Sequence, residues 1–375
     1  MLLDDYVRGN EEYYTKLLDS VKDIDNEVFV VSKIRSGGTK KYIDELEEAY
    51  SSRKFISVDS LKRFSEYKDK IKTSSLVMVH QLHLVKVTPR MLIELKRESG
   101  CKMVICVHDF CWFLKSVKNR SMTLHSAYLN QREEDEDITE LFTLADMIIV
   151  PSQFVYDKYV SCFPNTCKFV VVPHIDEPIS PCVLDVPIVD KEIRIGSMSA
   201  LNEYKGKEIL DYMAEHVHGS NYLDYKVSIC VVGKDILPYK ESDFYDIIKE
   251  HNLHGLLLLN KWGETYCYLL SKCINSGLPV FYNNIGSFSE RIPGDEDRFF
   301  VAINNEKEYD SLCDIITTKM ECMLGFIVKN SGVTKNKESG TGQLEQSKHP
   351  FYETMLGDMT MDKWSVFCSH INSKT

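Results

Sequence analysis

Short, nearly unbroken apolar runs alternate along this chain with segments whose apolar positions recur every three or four residues. The first pattern marks strands covered on both faces and the second marks amphipathic helices. Their alternation predicts βαβ units and parallel sheets. In the first half the spacing predicts strands over Glu27–Ser32, Lys54–Val58, Ser75–His80, Lys102–Val107, Met147–Val150 and Lys168–Val172. Helices are expected over Thr39–Tyr50, Pro89–Lys96 and Gln153–Val160.

A stretch holding Pro173, Pro178, Pro181 and Pro187 interrupts the alternation and reads as an interdomain linker. The pattern then resumes with strands Glu192–Ser197, Lys226–Val232, Gly255–Leu259, Pro279–Tyr282 and one near Phe299–Val301. Helices Gly206–His216, Asp243–His251, Thr265–Asn275 and Lys307–Leu324 lie between and after them. Lys329–Lys348 is polar and reads as a connector. Beyond it, Phe351, Met355, Trp364, Phe367 and Ile371 mark a terminal helix.

With 375 residues the chain exceeds the ~250–300 at which single cores stop growing. The expected organisation is therefore two Rossmann-like domains, an N-terminal one over 1–176 and a C-terminal one over 190–326. A connector over 327–349 and a C-terminal helix over 350–375, docking near the domain junction, complete it. Two α/β halves joined once create a cleft, where small molecules tend to bind.

Composition narrows the function. A net charge of −11 argues against a surface that tracks nucleic-acid phosphates. None of the 12 cysteines is spaced Cys-x2-Cys, so buried free thiols are expected rather than a zinc site. Met1-Leu2-Leu3 runs directly into Asp4-Asp5, unlike a secretory signal, and no apolar run reaches the ~18–20 residues of a membrane span. A cytoplasmic location is expected.

Four segments carry candidate chemistry. Ser36-Gly37-Gly38-Thr39 follows the first strand and precedes a helix, where glycine admits an anion to backbone N–H groups, although taken alone it reads first as a plain tight turn. His108-Asp109-Phe110 lies at the carboxyl end of a strand, the ligand-binding edge of open parallel sheets. The alternative is a histidine satisfied locally by Asp109. Lys205, just before Gly206 and a helix, is suited to clamp a diphosphate by charge and dipole. In Trp262-Gly263-Glu264-Thr265-Tyr266, Glu264 is expected where a helix begins, with the N–H groups of Thr265 and Tyr266 toward phosphate oxygens. Lys272 would lie on the same helix face, roughly 12 Å further along.

At these residues the chain resembles the retaining glycosyltransferases of family 4, which have the GT-B fold. The resemblance runs from about Val28 to Arg291. It is most specific at Glu264–Ser271, at Ser276-Gly277-Leu278-Pro279-Val280 and at Asn284-Ile285-Gly286; Val150-Pro151-Ser152 and Val172-Pro173-His174 also match. It implies a fold of two Rossmann-like domains with parallel sheets facing across a cleft, the N-terminal one on the acceptor side and the C-terminal one binding the nucleotide sugar, with peripheral membrane association if the acceptor is lipid-linked. It implies an enzyme moving a sugar from a nucleoside-diphosphate sugar to a glycan or other hydroxyl acceptor, with retention and without metal or other cofactor.

In that resemblance Gly37 and Gly38 lie under the diphosphate, His108 reaches the donor sugar, Lys205 holds the diphosphate and Glu264 holds sugar hydroxyls. Ser199, Thr265, Tyr266 and Lys272 complete the donor-side set. Two departures accompany it. Lys272 stands where the family usually has a second glutamate, and Ser197, Ser199 and Ala200 stand where an arginine usually precedes the lysine. These support an alternative, a non-catalytic nucleotide-sugar-binding or scaffold protein on the same fold. A metal-dependent GT-A enzyme would need an Asp-x-Asp pair; Asp135–Asp137 and Asp295–Asp297 read instead as solvated surface. A dehydrogenase is disfavoured because no dinucleotide fingerprint is present.

Overall fold

The computed structural model describes residues 27–49, 51, 53–73, 76–82, 84–114, 135–166, 168–174, 176, 184–199, 202–292 and 297–331. The expected connector beyond 331 and the expected C-terminal helix lie outside these residues. The described residues fall into two compact units, 27–113 with 135–174, and Leu114 with 176–331.

Unit 1 is a six-stranded parallel sheet of β1 (Glu27–Val31), β2 (Lys54–Val58), β3 (Leu76–Val79), β4 (Lys102–Cys106), β5 (Met147–Val150) and β6 (Phe169–Val171). The spatial order is β2-β1-β3-β4-β5-β6. Among the described residues five helices connect them: α1 (Gly38–Ala49), α2 (Leu61–Lys72), α3 (Pro89–Glu98), α4 (Glu136–Leu144) and α5 (Gln153–Cys162). Their starts are written locally. Ser60, Thr88, Asp135 and Ser152 each accept a hydrogen bond from a backbone N–H of the first turn, and Pro89 opens α3 where a missing N–H costs nothing.

Unit 2 contains β7 (Glu192–Ser197), α6 (Lys207–His216), β8 (Asn221–Tyr222), β9 (Tyr225–Val231), α7 (Phe244–Glu250), β10 (Gly255–Leu258), α8 (Tyr268–Ser276), β11 (Val280–Asn283), α9 (Phe288–Arg291), β12 (Phe299–Ile303) and α10 (Leu312–Asn330). The order is β12-β11-β10-β7-β9-β8, parallel except for the β8–β9 hairpin. Neighbouring strand residues divide between two cores. Ile193, Ile195, Val227, Ile229, Leu257 and Phe281 face one side of the sheet, and Cys230, Leu256, Leu258, Val280 and Tyr282 face the other. Burial on both faces is why these strands read as unbroken apolar runs.

The strands and helices expected within the described residues are present, with shifts at their ends. Helix α10 starts at Leu312, after a 3-10 turn over Glu306–Ser311, and runs past Leu324 to Asn330. Its buried stripe of Ile316, Met320, Met323 and Leu324 continues to Ile327. Helices α2, α4 and α9 and strand β8 were not expected. Helix α2 buries only Phe64 and Ile71 among many charges, too sparse a stripe to announce itself.

In both units the chain turns back across its own first strand. The carboxyl ends of β1 and β3 in unit 1, and of β7 and β10 in unit 2, flank this reversal, the position where open α/β sheets bind ligands.

Candidate functional site

In unit 2 the loops after β7 and β10 meet at that reversal point. Asn202 caps the 3-10 turn Glu203–Lys205 by accepting from Lys205 N at 3.0 Å. Gly206 follows with φ 82°, and a Cβ there would lie 2.1 Å from the carbonyl oxygen of Leu259. Only glycine lets the two backbones approach so closely. Lys261 N donates to Tyr204 O at 3.0 Å, and the Lys261 ammonium pairs with Glu208 at 2.6 Å, fastening the loops further.

This fastening brings Lys205 and Glu264 together as an ion pair. Asn260, directly after β10, donates to the same carboxylate oxygen of Glu264 at 2.6 Å. Burial alone would lower the Lys205 pKa. The Glu264 carboxylate outweighs it, the net shift is upward, and the ammonium stays charged at neutral pH.

The backbone around Glu264 departs from expectation. Helix α8 begins at Tyr268, not Thr265. Cys267 has φ 70°, which a continuing α-helix forbids. Glu264 also forms a β-bridge with Gly286, and its carbonyl accepts from Ser287 N at 2.8 Å. The N–H groups of Thr265 and Tyr266 therefore precede the helix, and Glu264 belongs to a loop rather than to the helix face carrying Lys272. The Tyr266 ring is buried against Tyr268, under the Arg291 guanidinium, so its side chain does not offer an open face. Thr265 is half-buried on the same loop, and Ser199 is buried just beyond the end of β7. Lys272 pairs with Glu241 at 3.8 Å and lies over the Tyr245 ring.

In unit 1, Gly37 has φ 83° with open space where a side chain would lie, and Gly38 is the first residue of α1. His108, after β4, is buried and joined to His80, after β3, by a 2.8 Å hydrogen bond between ring nitrogens. His174, after β6, and Tyr42 of α1 pack on it with ring centroids 5.3 Å and 4.9 Å away. Burial, then the neighbouring His80 and His174, hold the His108 pKa well below the ordinary value, and burial lowers that of His80 to about 3. Both rings are neutral at pH 7, so one donates to the other's lone pair.

The local alternative for His108 is not what forms. The Asp109 carboxylate accepts instead from Gln81 at 2.8 Å and from Cys111 N at 2.9 Å. The histidine cluster had a sequence signal, since His80, His108 and His174 each follow a strand closely. Asn260, Ser287 and Arg291 had none.

Among the described residues no group of three or more His, Cys, Asp or Glu is placed to hold a metal ion, and no helix is long and apolar enough to cross a membrane. Asp135 caps α4 and Asp137 pairs with Arg90; Asp295 lies outside the described residues. The nine described cysteines are free thiols.

No protein-family model and no curated protein matches the chain. Among solved structures, the apo form of the lipopolysaccharide outer core galactosyltransferase WaaB is similar over 93% of this chain and 99% of its own, with a TM-score of 0.50. The fold is GT-B. Sequence identity to WaaB is 12%, so the likeness is one of fold alone. Two further GT-B structures have TM-scores of 0.49 at 10% identity: Anabaena Alr3699/HepE in complex with UDP, over 93% of this chain and 97% of its own, and sucrose-phosphate synthase from Thermosynechococcus elongatus, over 93% and 98%.

Proposed function

We propose that the protein is a cytoplasmic, metal-independent glycosyltransferase that moves a sugar from a nucleoside-diphosphate sugar to a hydroxyl of a glycan or other acceptor, with retention of configuration. The observation that carries this reading is the Lys205–Glu264 pair, with Asn260 on the same carboxylate, at the reversal point of a GT-B sheet. It joins a cation suited to a departing diphosphate with a carboxylate suited to sugar hydroxyls.

In the proposed reaction the acceptor oxygen bonds to the anomeric carbon on the face from which the diphosphate leaves. The bond from that carbon to the phosphate oxygen breaks, and the phosphate takes the acceptor's proton. No protein nucleophile is needed. Lys205 stabilises the negative charge that grows on the leaving group, while Glu264, steadied by Asn260, orients the sugar. In unit 1 the Gly37–Gly38 turn at the start of α1 is assigned to the diphosphate and neutral His108 to a sugar hydroxyl. Ser199 and Thr265 are assigned to the donor side.

Calorimetric titration with UDP and GDP, followed by a donor-hydrolysis screen, tests the proposal. Binding of one diphosphate is expected, with turnover unaffected by EDTA. Lys205→Ala is expected to stay folded and lose about 10²–10³ in rate. A wild-type protein that binds no nucleoside diphosphate defeats the reading. Binding without turnover across donors and acceptors favours the non-catalytic alternative, to which the engagement of Lys272 with Glu241 lends support.

A further inference from the structure

Glu264 and the start of α8 are held from behind by the segment from Gly286 to Arg291. A Cβ on Gly286 would lie 2.3 Å from Glu264 N, so the two backbones are in direct contact. Ser287 donates through its backbone to Glu264 O at 2.8 Å and through its hydroxyl to Tyr266 O at 3.1 Å. Arg291 contributes most. One guanidinium nitrogen donates to the carbonyls of Tyr266 and Cys267, the latter at 2.8 Å. The other reaches Ser271 Oγ at 2.5 Å and the Asp176 carboxylate at 3.4 Å. The guanidinium also lies 3.8 Å from the centre of the Tyr266 ring.

This arrangement answers a specific need. A non-glycine residue with positive φ, such as Cys267, is strained and persists only where its surroundings over-determine it. The carbonyls on both sides of the Cys267 nitrogen and α-carbon are fixed by one planar fork. Lysine has no plane to stack, and its three donors share a single nitrogen, which cannot span the two carbonyls and the hydroxyl as the two guanidinium nitrogens do. The fork also stands close to the reactive groups, since the Cys267 thiol lies within electrostatic reach of Glu264, Lys205 and Arg291.

We infer that Arg291 is a positioning residue for the donor site: its guanidinium, and not merely its charge, sets the Glu264–Tyr268 loop in the conformation that binds a nucleoside diphosphate. The inference rests on the donor-site reading above. Asp176, where the chain enters unit 2, completes the arrangement by accepting from Ser271 and Arg291.

The test compares wild type, Arg291→Lys and Arg291→Ala by hydrogen exchange over 262–270, thermal melting, and calorimetric titration with UDP and GDP. In Arg291→Lys, exchange in this loop is expected to rise about tenfold while the β7 and β10 strands stay protected. Affinity for the diphosphate is expected to fall about tenfold, on the order of one charge-assisted hydrogen bond. Methylguanidinium added to Arg291→Ala is expected to restore part of that affinity, and methylammonium at equal ionic strength to restore none.

Loop exchange and affinity in Arg291→Lys equal to wild type would overturn the inference, because charge alone would then suffice. Exchange rising equally through the whole unit, with no guanidinium rescue, would also overturn it by showing a merely structural role. A wild-type protein that binds neither nucleotide removes the donor-site reading. In that case loop exchange still decides whether the guanidinium sets the loop.

Discussion

The Lys205–Glu264 pair can be measured with a double-mutant cycle of Lys205→Met and Glu264→Gln. The side chains are 24% and 19% exposed, between the limits of a solvated and a buried pair. Exposed pairs contribute about 0.2–1 kcal/mol, and removing one partner of a buried pair costs about 3–5 kcal/mol. Each single substitution should therefore cost about 1–3 kcal/mol, because each leaves one charge half-buried without its partner. The double variant leaves none, and Asn260 can still donate to the carbonyl oxygen of the introduced glutamine. Its cost should fall short of the sum of the singles by about 1–2 kcal/mol. Urea unfolding followed by exchange protection in β7 and β10 reads this directly. Single effects that add to within about 0.5 kcal/mol would show the two groups uncoupled and refute the arrangement.

Other substitutions check the surrounding geometry. Gly286→Ala drives a methyl into the Glu264 backbone at positive φ and should cost at least about 2 kcal/mol, whereas Gly37→Ala, with open space around it, should cost only the ~1–2 kcal/mol of its left-handed backbone. Equal melting shifts would contradict this. Lys272→Glu places a carboxylate beside Glu241 and should cost about 1 kcal/mol, restored by Glu241→Lys in the same chain; an unrestored loss would separate the two residues. In unit 1 the lowered pKa of His80, about 3, predicts acid sensitivity. Below about pH 6.5 the unfolded imidazole takes a proton that the folded one refuses, so this stability is whole above pH 6.5 and is lost as pH falls toward 3. The slope approaches about 1.4 kcal/mol per pH unit for each such ring, and His80→Gln should flatten it. Urea midpoints for unit 1 that stay level from pH 7 to 5 would refute the neutral cluster.

The strands were legible in the sequence because each sheet is covered on both faces, leaving β1, β4 and β10 almost no polar residues to confuse the period. Glycine and proline marked the ends of several helices. Lys205 and Glu264 were legible as candidates because each follows a strand and precedes a helix, but their pairing across 59 positions was not. The start of α8 was misplaced for a related reason. Thr265–Cys267 has ordinary helical propensity, and what unwinds it is Gly286, Ser287 and Arg291, some twenty positions away. The pairing of His80 with His108 was hidden likewise, since His108 follows the next strand of the sheet, 28 positions on.

The abutment of Gly206 on Leu259 bears on any attempt to re-engineer the proposed donor site. A combinatorial library that varied position 206 or 286 would mostly return unfolded clones, and their inactivity would say nothing about selectivity. Diversity is better concentrated at Trp262, Thr265 and Leu269, which are half-exposed and lie outside these points of main-chain contact.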